Sequence, residues 1–194
     1  MNLRSSWRAR RPRRSVRAER VPRRRLLDLA REIWKRDEGT ELVELVIVLP
    51  FLLIMSFGIL ELGNALDKAH GMATLSREGA NIAVRGTALD TVAAVTMSSG
   101  VSIGLDVRGG TIVSRILVEG GVPTLKEQVA TSGYDGLSRV GQVDSTVSQY
   151  AGAGLVDGQQ LFAVEVFYDH QKVTPLSRIL GPLIPDTMYD VSVF

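Results

Sequence analysis

The sequence contains no cysteine and only two histidines, His70 and His170, in 194 residues. Without thiols, disulfide scaffolds, thiolate zinc sites, iron–sulfur clusters and cysteine-nucleophile enzymes are excluded. Two histidines so far apart give little basis for a His-rich metal site or a Ser-His-Asp triad. Aromatics are scarce, at 6% of residues. Net charge is also scarce, at +2, but that small sum conceals two unlike segments. Residues 1–39 hold 14 Lys+Arg against 5 Asp+Glu, a net of +9, and the remainder holds 9 against 16, a net of −7. Such asymmetry points to different surroundings for the two parts.

The basic part is Arg-dense from Arg4 to Arg25 and is interrupted by Pro12 and Pro22. It has too few apolar residues to pack a core, so disorder is expected over residues 1–25. Residues 26–36 (LLDLAREIWKR) place Leu26, Leu29, Ala30, Ile33 and Trp34 at helical spacing. They read either as a short amphipathic helix at a membrane surface or as a frayed helix without a partner. Only Trp7 is aromatic within residues 1–25 and no recognition fold follows, so no nucleic-acid partner is expected. A topology signal that meets anionic lipid fits the arginines better.

What the sequence has in abundance is one long apolar run. Residues 45–60 (LVIVLPFLLIMSFGIL) carry no charge, and twelve of the sixteen are Leu, Ile, Val or Phe. Those side chains favour insertion by about 5 kcal/mol before Pro50, Ser56 and Gly58 are counted. Glu44 and Glu61 bracket the run and stand about 25 Å apart along a helix, close to the ~30 Å hydrocarbon core. The run predicts a transmembrane segment over 40–62, kinked at Pro50, which membrane helices tolerate. Positive residues before it place the N-terminus in the cytoplasm and the C-terminus outside. Glu61 reads either as an interfacial carboxylate satisfied by water or as an inter-subunit contact. Neither a twin-arginine signal at Arg23-Arg24-Arg25 nor a secretory signal peptide fits. The apolar run lies too far from the arginines, and Ala69-His70-Gly71 is a poor cleavage site.

Beyond Glu61 the apolar pattern thins into a stripe of Leu62, Ala65, Leu66, Ala69, Met72, Ala73, Ser76, Ala80 and Ala83. One continuous helix is expected from about residue 42 to Val84 or Arg85, ended by Gly86. Its extension, 63–86, is rich in small residues that allow close helix approach. From residue 87 onward short strand signals dominate. Thr111–Glu119 alternates, Gly120-Gly121 reads as a hairpin turn into Thr124–Ala130, and Gln160–Tyr168 is the strongest strand. Tyr189, Val191 and Val193 form a last strand, and residues 131–158 read as loop. The expectation is an α+β chain in which a long N-terminal transmembrane helix precedes a small antiparallel β-sheet domain over 87–194. Asp169-His170 reads as an exposed strand-end pair, and Gly104–Thr111 as a turn rather than a phosphate loop, because it lacks the lysine. Asp186 and Asp190 lack calcium-loop spacing. No enzyme, cofactor or metal site is expected.

The stretch that carries function is Asp37-Glu38-Gly39-Thr40-Glu41-Leu42-Val43-Glu44. Gly39 is expected to interrupt the helix and let the backbone extend into an intramembrane protease. Glu44 is an ionisable group at the membrane edge, which is costly without a partner. A cut after Gly39 creates a cationic amine on Thr40, and on a neighbouring helix that amine is a natural partner for Glu44.

These residues resemble the prepilin-peptidase site of type IV pilin-like proteins. More closely, GTELVELVIVLPFLLIMSFGILELGNAL followed by Ser76-Arg77-Glu78-Gly79-Ala80 resembles the TadE family of the tight-adherence (Tad) pilus system. Ser138-Arg139-Val140-Gly141 and the tail AVEVFYDHQKVTPLSRILGPLIPDTMYDVSVF are similar to that family too. The resemblance covers residues 38–86 densely and 160–194 well. It implies a pilin-like fold and a minor pilin or pseudopilin of the inner membrane, with a leader, 1–39, removed by a prepilin peptidase. Gly39 and Thr40 would flank the scissile bond, and Glu44 would be the pilin carboxylate. The implied partners are that peptidase, other pilin-like subunits and the Tad assembly proteins. A 39-residue leader is long, so translation from Val16, Val21 or Leu26 is expected, leaving residues 1–20 partly outside the protein. Peptides from residues 1–20 in the uncleaved precursor would contradict this. The rival reading is an uncleaved single-span membrane protein whose outer domain binds a ligand or an envelope component.

Overall fold

The computed structural model describes residues 37–150, 154–172, 174 and 185–194, with side chains from residue 41 onward. Readings that fall on 1–36, including the amphipathic 26–36 segment, lie outside the described residues. The chain divides into two units, Met1–Phe51 and Leu52–Phe194.

Helix α1 spans Asp37–Val84, 48 residues, and continues through Pro50. In the first unit its side chains 41–51 are exposed, apart from half-buried Val43. Among the described residues this helix is long and apolar enough to cross a membrane, and none of its most apolar stretch is buried in the protein. Gly86, with φ +85°, stops the helix, and its N–H donates to the Ala83 carbonyl at 3.0 Å. A left-handed residue there favours glycine.

The second unit contains the rest of α1, a second helix α2 (Leu89–Ser99), a 3-10 turn (Gly100–Ile103), a short helix α3 (Leu105–Arg108) and four strands. These are β1 (Gly109–Glu119), β2 (Val122–Ala130), β3 (Gln160–Asp169) and β4 (Thr187–Val193), antiparallel in the order β2-β1-β3-β4. The expected hairpin at Gly120-Gly121 is present, with both glycines at positive φ. The architecture is the expected α+β: a long apolar N-terminal helix, then a small antiparallel sheet.

Two features differ from the sequence reading. Residues 89–99 are helical, although the segment reads as part of a strand-rich region. Leu89, Val92, Ala93 and Thr96 are its buried residues, a helical spacing hidden by β-branched Thr and Val. β3, read only as the strongest strand, is buried on both faces. Val164, Val166 and Tyr168 join Val113, Leu75, Met72 and Val92 in a core beneath the helices. Leu161 and Ala163 join Ile116, Leu125, Val140 and Val147 in a second core on the opposite face. There the central loop covers the sheet. Its Asp144, Ser145 and Val147 exchange backbone hydrogen bonds with Pro123 and Leu125 of β2. Full burial on both faces gives a strand a nearly continuous apolar run, and AVEVFY fits that apart from one glutamate.

Candidate assembly and anchoring site

At the start of α1, Gly39 and Thr40 lie inside the helix, so Gly39 does not interrupt it. A single glycine costs about 1 kcal/mol in a helix. Glu44 is exposed and makes no hydrogen bond or ion pair among the described residues. A carboxylate displayed at the edge of an apolar surface is available to a partner.

Glu61 sits in a different setting, 1% exposed within the second unit. Its Oε2 accepts the Thr174 backbone N–H at 2.9 Å, and its Oε1 lies 3.6 Å from His170 Nε2. His170 is buried as well, so Asp169-His170 is not an exposed strand-end pair. The chain leaving β3 folds back on α1, and the His170 N–H donates to the Asp186 carbonyl at 2.7 Å. Lys172 closes the rim with a 2.7 Å ion pair to Asp186. Its ammonium, through that hydrogen bond first, holds the Asp186 carboxyl below its usual range. The buried side of α1 runs Glu61, Ala65, Met72, Ser76, Ala80 and Ala83. This line was readable from helical spacing, yet Glu61 is hard to assign to it because charge normally marks the wet face. Leu62, Leu66 and Ala69, read as part of the stripe, are exposed instead.

Two further sets of contacts join α1 to β4, and β3 to the central loop and β4. Ser76 donates to Asp190 Oδ2 at 2.5 Å and lies 2.9 Å from Ser192 Oγ, linking α1 to β4. Glu165 is fully buried on the loop-facing side of β3. Its carboxylate accepts from Ser138 Oγ at 2.5 Å, Arg139 N–H at 2.7 Å, Val140 N–H at 3.3 Å and Tyr189 Oη at 2.8 Å. Four donors occupy both oxygens, so this carboxylate is a clamp rather than a base or a ligand. Burial, then the neighbouring Glu165 charge, pushes the Tyr189 hydroxyl well above its usual range. The Arg139 guanidinium lies 4.3 Å from the Tyr189 ring centroid. No group of three potential metal ligands occurs among the described residues.

This arrangement defines a class: among the described residues, one helix of membrane length whose polar end is gripped by a small α+β domain. The family model described as TadE-like protein matches residues 39–81. That interval begins at Gly39 and takes in Glu44, Glu61, Ser76 and Gly79. No curated protein and no solved structure matches the chain.

Proposed function

We propose that this chain is a TadE-like minor pilin or pseudopilin acting in Tad pilus assembly. The observation that carries this reading is a coincidence of boundaries. The TadE-like match, 39–81, falls on a helix that exposes an apolar surface before Glu61 and packs into a small domain after it. On this reading a prepilin peptidase cuts between Gly39 and Thr40, leaving the basic leader in the cytoplasm beside anionic lipid. The acidic remainder faces outward from the inner membrane and enters a pilus or its base. The new Thr40 amine and Glu44 then fix register against other pilin-like subunits and the Tad assembly proteins. The protein performs no chemistry of its own, and nucleic acid is not a partner.

Co-expression with a prepilin peptidase tests this. Gly39→Leu is expected to leave full-length precursor in the membrane while the parent chain is shortened. Normal shortening of the variant would overturn the cleavage assignment. The continuation of α1 from Asp37 through Gly39 favours the second reading, an uncleaved single-span protein with an outer binding domain. A parent chain that keeps its leader despite active peptidase would select it.

A further inference from the structure

The apolar surface of α1 does not end where the domain begins. Leu52, Met55, Ile59, Leu62 and Leu66 recur at helical spacing and are exposed by 54%, 51%, 68%, 53% and 50%. Glu61, on another side of the helix, is already under His170 and Thr174. The domain therefore grips one side of α1 from the end of the uncharged run and leaves the Leu62–Leu66 side open. Leu66 is six residues past Leu60, about 9 Å further along the axis. That reach runs to the outer edge of the headgroup layer, which extends about 5–8 Å beyond the hydrocarbon on each side.

At this level the stripe becomes the wall of a groove of about 510 Å³. Leu62, Ala65 and Leu66 form one side, Met188 and Tyr189 of β4 the other, and Arg139 of the central loop stands among them. The Arg139 guanidinium is held over the Tyr189 ring and makes no salt bridge among the described residues. The groove thus joins an apolar wall, continuous with the exposed stripe of α1, to one guanidinium that stacks on Tyr189 without a salt bridge among the described residues.

We infer that this groove holds a phospholipid of the surrounding leaflet, its glycerol region against Leu62, its headgroup toward Leu66 and its phosphate on Arg139. The inference rests on α1 crossing a bilayer. A guanidinium matches a phosphate in charge and in bidentate geometry. A second copy of the α1 stripe would cover the leucines but leave Arg139 facing aliphatic side chains, whereas a phosphate satisfies both halves of the groove.

Photocrosslinking of the full chain in native membranes tests this, with a photoreactive residue at position 66 and, in a separate chain, at position 55. Both positions are expected to give phospholipid adducts by mass. Arg139→Gln is expected to lower the adduct at 66 about fivefold and leave that at 55 unchanged, the effect of one cation at an anionic lipid surface. Because the Arg139 contact to Glu165 is made by its backbone, the side-chain change leaves that clamp in place. Arg139→Lys is expected to keep most of the yield. An adduct at 66 to another polypeptide, or none, with lipid still captured at 55, overturns the groove assignment alone. An Arg139→Gln yield equal to the parent's overturns the phosphate contact. Absence of lipid at both positions overturns the membrane reading, and this inference with it.

Discussion

Glu165 joins β3 to the central loop and to β4 through four hydrogen bonds. It accepts two hydroxyls and two backbone N–H groups while fully buried. Glu165→Leu leaves those donors unmatched, and unmatched buried groups cost about 1–3 kcal/mol each. The variant is expected to lose at least about 3 kcal/mol in urea unfolding. Limited proteolysis should then cut first within residues 131–150, where the parent resists. The Tyr189 hydroxyl adds a pH dependence. Its folded value lies above the usual 10.0, so the neutral donor is favoured by folding. That contribution is complete below pH 10 or so and is lost as pH rises toward the folded value. Stability of the parent should fall above about pH 10, and Tyr189→Phe should show a shallower fall in urea midpoints across the same range. The partners stand in Ser138–Gly141 and AVEVFY, stretches that the sequence reading likens to the TadE family. Their pairing was not readable. Glu165 sits between apolar neighbours on what alternation alone marks as the wet face, and only the loop's return over the sheet makes that face dry.

Helix α1 was the most legible element, because an uncharged run followed by a stripe of small residues leaves few alternatives to a helix. Its contacts were less legible. Gly79 shows why a glycine is useful inside it. A Cβ there would stand 2.7 Å from Thr96 Oγ1 of α2 and 3.1 Å from Val164 Cγ1 of β3. Gly79→Leu is therefore expected to cost about 1–3 kcal/mol by overpacking, despite leucine's better helix propensity. A rise in the thermal midpoint would contradict that packing. Glu61 gives a second test at this scale. Glu61→Leu removes the acceptor of the Thr174 N–H and the neighbour of His170, so faster amide exchange at Thr174 is expected than in Glu61→Gln, which keeps an acceptor oxygen. Equal exchange in the two variants would contradict the latch. Helix α2 went unread because Thr91, Val92, Val95 and Thr96 carry strand preference. Tertiary packing of its 89, 92, 93 and 96 face overrides that preference.

For the molecule as a whole, charge and hydropathy divide the chain more sharply than any motif does. A net of +9 before the apolar run and −7 after Gly39 favours retention of the start and export of the remainder. The α+β class followed from that division together with strand alternation, since both depend on local pattern. The grip of the 170–174 segment on Glu61 depends on residues more than a hundred positions apart, and no local pattern reports it. The central claim is that the leader is removed and Thr40 becomes the first residue. Intact mass and N-terminal sequencing of the protein from its native membrane fraction test it most directly. The account predicts a chain beginning Thr40-Glu41-Leu42. A chain that still carries residues N-terminal to Thr40 would contradict it.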